Sequence, residues 1–362
     1  MRSVLLAFAL VAAAVSCAGD PINTQGTGGA ANGGTTGKGG TTRTGGTTSA
    51  GGTTSKGGAT GNGGTTSKGG TTGNGGTTSK GGTTGAGGTT SKGGTTGSGG
   101  SSQSSGPVDC TDTSTFSSSI KDQYGTATIT VDNNSSKSYF MQANWWGQAK
   151  QPGPTFLNQS EAVQGIGFTI ANPNNTTPTA VDGNPLGFPS IFIGAYGSKK
   201  TTGSNLPKAV SSLTSVPTIF STNADTMGIT SYNATYDVWF TASNALVTGS
   251  GPGTGGAYLM VWLFKPKDKQ PRGVVVANAS VVKGVKGGWD VWYDSTNPPC
   301  VSYVAITNLA SLEFDLNNFI QDAKQNGYGI TDSQYLSIVF AGFEIWQGGD
   351  GLQLKKFCAN VK

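Results

Sequence analysis

Apolar and polar side chains alternate along several short segments of this chain, and three of these segments have a second property in common. Successive side chains of a β-strand point to opposite faces of the sheet. Each of the segments 235–241, 258–264 and 339–346 therefore presents one apolar face and one face of aromatic and polar groups. The first kind of face is typical of a core, and the second is typical of a ligand-binding cleft. The mixed faces consist of Asp237 with Trp239, of Tyr258 with Met260, Trp262 and Phe264, and of Phe340 with Gly342, Glu344 and Trp346.

Segments rich in Val, Ile, Thr and aromatic residues recur from residue 126 onwards. They are bounded by Gly, Pro and Asn, which is typical of β-strands. Many antiparallel strands with one helix predict an all-β fold, a jelly-roll sandwich of two antiparallel sheets. The predicted strands are 126–131, 140–146, 166–170, 191–195, 232–241, 258–264, 274–282, 289–293, 301–306, 335–346 and 352–361.

One segment has the period of a helix rather than that of a strand. Apolar side chains three and four residues apart share one helix face. Ser311 is the predicted N-cap, and Asn326 followed by Gly327 is the predicted end. The predicted buried face consists of Leu312, Leu316, Phe319, Ile320 and Ala323.

The N-terminal residues are typical of an exported protein. Arg2 precedes an apolar run, residues 4–15, that is short for a membrane span and fits a signal peptide. The sequence Ala-Val-Ser-Cys that ends at Cys17 resembles a bacterial lipobox, in which the Cys is lipidated. Several acyl chains on one Cys anchor a protein stably. We predict that residues 1–17 are a lipoprotein signal with its lipidated Cys and that the chain is anchored in the outer membrane at the cell surface. Simple cleavage after a small residue is the alternative.

Residues 18–106 contain a repeat with a period of six, of the type Gly-Gly-Thr-Thr-Ser-Lys. No position of the repeat carries a large apolar side chain. Burial therefore cannot offset the conformational entropy of ordering the chain. We predict a disordered linker that joins the anchor to one folded domain, residues 107–362.

Charge and composition exclude several classes of function for that domain. Residues 107–362 hold 16 of the 23 basic residues and 17 of the 18 acidic residues, so no nucleic-acid partner is expected. The chain has no histidine, which excludes Ser-His-Asp triads and His-based zinc sites. No metal site and no cofactor are predicted.

Three cysteines remain once Cys17 is assigned to lipid. They are Cys110, Cys300 and Cys358. Export favours disulfides, so one disulfide and one free thiol are expected, and all three pairings stay open.

Seven motifs together resemble glycoside hydrolase family 12, over nearly all of residues 107–362. The resemblance implies an endo-β-1,4-glucanase or xyloglucanase type of protein, a jelly roll with an open cleft on its concave sheet, and a β-glucan as ligand. We predict a monomer. The motifs are Tyr236-Asp237-Val238-Trp239, Leu259-Met260-Val261-Trp262, Gly342-Phe343-Glu344-Ile345-Trp346, Asn144-Trp145-Trp146-Gly147, Phe188-Pro189-Ser190-Ile191-Phe192, Asn205-Leu206-Pro207 and Trp289-Asp290-Val291-Trp292.

The resemblance also implies catalytic positions, and one of them departs from the family pattern. Glu344 matches the acid/base, and Asp237 matches the carboxylate that supports the nucleophile. The nucleophilic Glu is replaced by Tyr258. A phenol, whose reference pKa is about 10, is a poor nucleophile without an activating base. Since retaining hydrolysis uses two carboxyl groups, the usual mechanism is expected to be absent.

Aromatic and polar residues beside these positions are candidates for sugar binding. Trp146 and Trp346 are predicted to stack on sugar rings, while Trp239 and Trp292 are predicted to be ordinary core. The candidate substrate-binding residues are Asn144, Trp146, Met260, Trp262 and Trp346.

Three functions stay open at this point. The first, and the preferred one, is β-glucan binding without retaining hydrolysis. The second is hydrolysis with Glu344 as acid and either Asp237 as base through a water or Tyr258 as nucleophile. The third is an adhesin or structural module whose ligand is not a glucan.

Overall fold

The computed structural model describes residues 119–131, 137–147, 158–161, 166–171, 177–197, 199–224 and 231–362. The predicted signal peptide, Cys17, the predicted linker and Cys110 lie outside these residues. Within the described part, no helix is both long and apolar enough to cross a membrane.

The described residues form a β-sandwich with a single α-helix. A 3₁₀ turn at Val210–Ser212 lies between the strands Lys208–Ala209 and Pro217–Thr222. The elements are β1 Ser119–Ile120, β2 Thr126–Val131, β3 Lys137–Gln142, β4 Asn158–Glu161, β5 Phe168–Ala171, β6 Ser190–Tyr196, β7 Lys199–Lys200, β8 Lys208–Ala209, β9 Pro217–Thr222, β10 Ser231–Tyr232, β11 Ala234–Thr241, β12 Ala257–Phe264, β13 Val274–Ser280, β14 Trp289–Asp294, β15 Cys300–Ala305, β16 Ser311–Asp315, α1 Leu316–Gln325, β17 Tyr335–Gly342, β18 Ile345–Gln347 and β19 Gln353–Ala359.

The strands form two sheets and a small ribbon. The larger sheet has the order β13-β14-β15-β12-β11-β17-β6-β3-β2, with β7 added beside β6 and β8 beside β17. The smaller sheet has the order β1-β4-β5-β19-β9-β16, and β10 pairs with β18. Strands β12 and β15 run parallel, whereas the other strand pairs of the described part are antiparallel. This confirms the predicted jelly-roll sandwich.

The main core lies between the two sheets. Tyr236 of the larger sheet packs edge-on against Phe220 and Phe357 of the smaller sheet, with ring centroids 5.5 and 6.1 Å apart. Val238, Leu259 and Val261 belong to the same cluster, as the alternation predicts. We call the opposite face of the larger sheet the site face. It carries a second buried cluster that includes Phe140, Phe192, Trp239, Tyr258, Met260, Trp262, Phe340 and Trp346.

The helix begins later than the sequence predicts. Ser311 and Leu312 belong to β16 because they pair with β9, so Ser311 is not the N-cap. The true N-cap is Asp315, whose Oδ1 accepts hydrogen bonds from the backbone N–H groups of Asn317 at 2.9 Å and Val216 at 2.6 Å. The rest of the prediction is confirmed, since Leu316, Phe319, Ile320 and Ala323 are buried and the helix ends at Gln325 with Asn326 as its C-cap.

Two predicted strand patterns are interrupted in the structure. The strand predicted over 335–346 ends at Gly342, and β18 starts at Ile345 on a different partner, β10. Phe264 does not share the site face with Trp262, because the register of β11 against β12 shifts between Ala234 and Thr235. Phe264 instead stacks on Tyr232, with 5.3 Å between the ring centroids.

Both described cysteines form disulfide bonds. Cys300 is buried within the site-face cluster, and Cys358 is buried on β19. The predicted free thiol is therefore neither of these two residues.

Candidate active site

Three neighbouring strands bring the predicted catalytic residues to the site face. In the sheet register, Asp237 of β11 lies opposite Met260 of β12 and Phe340 of β17. Trp239 lies opposite Tyr258 in the same way. The alternation predicted for β11 and for β12 up to Trp262 is thus confirmed.

Asp237 is a buried carboxyl at the centre of this face, and it is 4% exposed. The indole Nε1 of Trp239 donates a hydrogen bond to its Oδ2 at 2.8 Å. Its Oδ1 is buried and has no hydrogen-bond partner in the described part of the chain. Burial raises the pKa of Asp237 to about 7, and the Trp239 hydrogen bond acts in the opposite direction. Asp237 can therefore gain or lose a proton near neutral pH.

Glu344 lies where the chain leaves β17. Asn233 forms hydrogen bonds with both the backbone and the carboxyl group of Glu344. The backbone N–H of Asn233 donates to the carbonyl oxygen of Glu344, and the backbone N–H of Glu344 donates to Oδ1 of Asn233, both at 2.9 Å. Nδ2 of Asn233 donates to Oε2 of Glu344. The second carboxyl oxygen, Oε1, is buried without a partner among the described residues.

The protonated form of Glu344 is favoured. Burial and then the negative charge of Asp237 raise the pKa of Glu344 well above its ordinary value, and the Asn233 hydrogen bond opposes them. The two carboxyl groups thus interact electrostatically. A proton on Glu344 and a negative charge on Asp237 are compatible with each other, whereas two negative charges repel.

Tyr258, which is predicted to replace the family nucleophile, has a buried ring that is 2% exposed. Its ring packs edge-on against Trp239 at 5.7 Å, and the guanidinium carbon of Arg272 lies 5.9 Å from the ring centroid. A Cβ added to Gly251 would lie 2.2 Å from the Tyr258 hydroxyl oxygen, so this oxygen packs against the loop that contains Gly251. Burial and the charge of Asp237 raise the pKa of Tyr258, which keeps the phenol protonated.

A small pocket is lined in part by Asp237. Asn144, a predicted substrate-binding residue, lines this pocket, whereas Glu344 does not. Gln142 and Tyr196 also lie there and were missed from the sequence, although Gln142 is two residues from Asn144 on the same alternating pattern. The lining residues are Gln142, Asn144, Phe188, Tyr196, Asp237, Trp239 and Phe340.

The remaining candidate residues are distributed unevenly over the site face. Met260, Trp262 and Trp346 are buried there, and the ring centroids of Trp262 and Trp346 are 6.4 Å apart. Nε1 of Trp346 donates to the carbonyl oxygen of Gly183 at 2.8 Å. Trp346 is only 2% exposed, so its stacking on a sugar stays a prediction. Trp146 is half-buried and is not part of the pocket lining.

Two tryptophans lie elsewhere than predicted. Trp239 and Trp292 were expected in the sandwich core. Trp239 instead belongs to the site-face cluster, where its indole donates a hydrogen bond to Asp237. Trp292 is half-buried and packs against the same cluster. Alternation places Asp237 and Trp239 on one face, which was the signal available in the sequence. No sequence pattern indicated that Asn233 would be the hydrogen-bond partner of Glu344.

The described residues contain no group of three or more His, Cys, Asp and Glu side chains that could hold a metal ion. The arrangement offers a carboxyl group whose protonated form is favoured, Glu344, and one that titrates near neutral pH, Asp237, and general acid–base catalysis uses groups of these two kinds.

Known proteins resemble this chain in both sequence and fold. The sequence profile of Glycosyl hydrolase family 12 matches residues 137–362. The Mycobacterium tuberculosis protein named Probable cellulase Cel12b is 31% identical over 159 residues, which are 44% of this chain and 99% of the relative. Endoglucanase S of Pectobacterium parmentieri is 26% identical over 238 residues, which are 62% of this chain and 82% of the relative. The structure of endoglucanase cel12A from Rhodothermus marinus matches with a TM-score of 0.57 at 28% identity, over 68% of this chain and 99% of that chain. The chain belongs to glycosyl hydrolase family 12.

Proposed function

We propose that this protein binds a β-1,4-glucan on its site face and does not hydrolyse it by the retaining mechanism. The observation that carries the proposal is the environment of Tyr258. A retaining enzyme needs a second carboxylate as nucleophile, about 5 Å from the acid/base. In its place stands a buried phenol whose oxygen packs against the Gly251 loop and whose pKa is raised.

The ligand class rests on the family and on the names of its relatives. A cellulase and two endoglucanases are similar to this chain. Asn144, Gln142 and Asp237 supply polar groups beside the aromatic rings of Trp239 and Tyr196. Such a mixture suits sugar rings, which have apolar faces and hydroxyl edges.

Inverting hydrolysis is the second candidate, and the state of the two carboxyl groups favours it. Glu344 would donate its proton to the glycosidic oxygen as that bond breaks. A water would attack the anomeric carbon and give its proton to Asp237. Each carboxyl group has one buried oxygen without a partner among the described residues, Oε1 of Glu344 and Oδ1 of Asp237. Inversion requires about 6.5–9.5 Å between the two groups.

The proposed location is the outer membrane at the cell surface. It rests on the lipobox-like sequence that ends at Cys17 and on the Gly/Thr-rich segment that follows it. Acyl chains on Cys17 would hold the protein at the membrane while the segment gives the glucan-binding domain reach. Mass spectrometry of the N-terminal peptide from membranes tests this, and an unmodified Cys17 would contradict it.

The deciding experiment combines calorimetric binding of cello-oligosaccharides with reducing-end release from soluble β-glucan and xyloglucan. The proposed function predicts binding without release, and gain of release in Tyr258→Glu, which restores the missing carboxylate. Release by the wild type that disappears in both Glu344→Gln and Asp237→Asn would instead establish hydrolysis. An inverted anomeric configuration of the first product would then assign the reaction to Asp237 as base, and a retained one to Tyr258 as nucleophile. Neither binding nor release would leave the adhesin or structural function.

A further inference from the structure

A loop rich in cations crosses the site face. Residues 265–273, which we call the strap, join the end of β12 to the start of β13. Strand β12 is parallel to β15, β14 is antiparallel to β15, and β13 is antiparallel to β14, so β13 runs in the same direction as β12. Through the register, Val274 at the start of β13 lies level with Leu259, so the strap must return along most of β12 before β13 begins.

Contacts at two points show which face the strap follows. Lys269 Nζ lies 5.8 Å from the ring centroid of Trp346, and the Arg272 guanidinium carbon lies 5.9 Å from that of Tyr258. Both rings belong to the site-face cluster. The strap thus places two cations on the face that carries Asp237 and Glu344.

Arg272 and Lys269 differ in the ion pairs and hydrogen bonds that their charged groups form. Arg272 is held by Oδ2 of Asp294, 2.6 Å from its Nε, and its Nη2 donates to the carbonyl oxygen of Pro298 at 2.9 Å. Lys269 has an ion pair with Asp268 at 3.6 Å and no hydrogen bond to another described residue. The Asp268 carboxylate accepts hydrogen bonds from the Ser231 hydroxyl at 2.9 and 3.0 Å. The Lys269 ammonium group therefore has N–H donors that a ligand can use.

The environment of Lys269 favours an anionic partner over a neutral one. Its side chain is 15% exposed, while that of Asp268 is 58% exposed, so its charge is compensated by a carboxylate that lies mostly in water. A largely desolvated ammonium group gains most from a charge-assisted hydrogen bond. The strap carries four cations and one acid, although residues 107–362 as a whole are nearly balanced.

We propose that the glycan bound on the site face carries carboxylate groups, as a β-1,4-linked glucan oxidised at C6 to glucuronic acid does, and that Lys269 binds one of them. The proposal rests on the proposed function, because it takes the site face as the glycan-binding surface. Asp237 and Glu344 are acidic groups of that face, and burial holds both pKa values above their ordinary range. Protonation reduces their repulsion of an anionic ligand.

The test compares two tetrasaccharides of the same linkage on the full-length protein. Cellotetraose is the neutral probe, and the β-1,4-linked tetrasaccharide of glucuronic acid is the anionic one. Calorimetry at low and at physiological salt should give an affinity about tenfold higher for the anionic probe, with a preference that weakens as salt is added. Lys269→Gln should lose this preference and keep its affinity for cellotetraose, and Lys269→Arg should retain most of the preference.

Lys267→Gln is the matched control, because Lys267 lies on the same strap but is exposed. It should leave both affinities unchanged. Equal or weaker binding of the anionic probe would overturn the inference while leaving glucan binding intact. Equal losses in Lys267→Gln and Lys269→Gln would overturn the role of Lys269. Binding of neither probe would overturn the proposed function itself.

Discussion

Asn233 and Glu344 form three hydrogen bonds with each other, two through backbone groups of Glu344 and one through its carboxyl group. These residues are 111 positions apart in sequence. The contact fixes the chain at the point where β17 ends and leaves Oε1 of Glu344 without a partner in the described part of the chain. Asn233 is thus a positioning residue for the acid.

Asn233→Ala should lower the free energy of unfolding and raise the pKa of Glu344 further. The expected loss of stability is about 1–3 kcal/mol, because buried polar groups lose their partners. Denaturation in urea and an NMR titration of the Glu344 carboxyl carbon measure the two effects. Asn223→Ala is the control, since the Asn223 side chain bonds the backbone of Gln353 and Gly351 at 2.8 and 3.0 Å. It should cost stability without changing the Glu344 pKa.

Asp237 should make the protein less stable as the pH rises. Its pKa is 3.8 in the unfolded reference and about 7 in the folded protein. Between these values the folded state keeps a proton that the unfolded state has released, so the free energy of unfolding falls by at most about 1.4 kcal/mol per pH unit. Glu344, whose pKa is also raised, acts with the same sign.

Asp237→Asn should remove the Asp237 part of this pH dependence. Urea denaturation across the same pH range measures it. Asp332→Asn, at a side chain that is 63% exposed, serves as the control and should keep the wild-type slope. An unchanged slope in Asp237→Asn would contradict the raised pKa.

Gly251→Ala should destabilise the protein through contact with Tyr258. The new Cβ would lie 2.2 Å from the hydroxyl oxygen, and overpacking of this kind costs about 1–3 kcal/mol. Tyr258→Phe in the same chain should recover most of the loss, as a double-mutant cycle in urea will measure. Gly249→Ala is the matched control, because a Cβ there meets nothing within 4 Å. A loss in Gly251→Ala that Tyr258→Phe leaves unchanged would place the hydroxyl elsewhere.

Trp239→Phe should raise the pKa of Asp237 above about 7. The substitution removes the indole N–H that donates to Oδ2 at 2.8 Å, and this hydrogen bond favours the charged carboxylate. An NMR titration of Asp237 measures the shift. Trp262→Phe is the control on the same face, since Nε1 of Trp262 has no hydrogen-bond partner among the described residues. Equal shifts in the two variants would mean that burial alone sets the Asp237 pKa.

Asp315→Ala should cost about 1–2 kcal/mol, as expected for the loss of a helix N-cap. Its Oδ1 accepts two backbone hydrogen bonds, from Asn317 and from Val216. Ser311→Ala, at the exposed residue that the sequence pattern indicates as the cap, should change stability by less than about 0.5 kcal/mol. Urea denaturation of both variants tests the position of the helix start, and the reverse order of effects would contradict the structure.

The sequence alone predicted the class of fold and the sheet face on which several of the candidate residues lie. Alternation is a local property of a strand, so it correctly assigned Tyr236 and Val238 to the core and Asp237 and Tyr258 to the opposite face. That assignment needed only the two-residue period of an extended chain. The prediction that Tyr258 replaces the family nucleophile also came from the sequence, through its resemblance to the family's motifs.

Only the tertiary structure decided which distant groups meet. Ser311 joins a strand rather than a helix because β9 offers it hydrogen bonds, and Phe264 leaves the site face because of a register shift in β11. Asn233 reaches Glu344, and the Tyr258 hydroxyl reaches Gly251, through the packing of loops that carry no periodic pattern. The physical reason is that strand periodicity is determined by neighbouring residues, whereas register, burial and the pKa of a buried acid depend on groups far away in the chain.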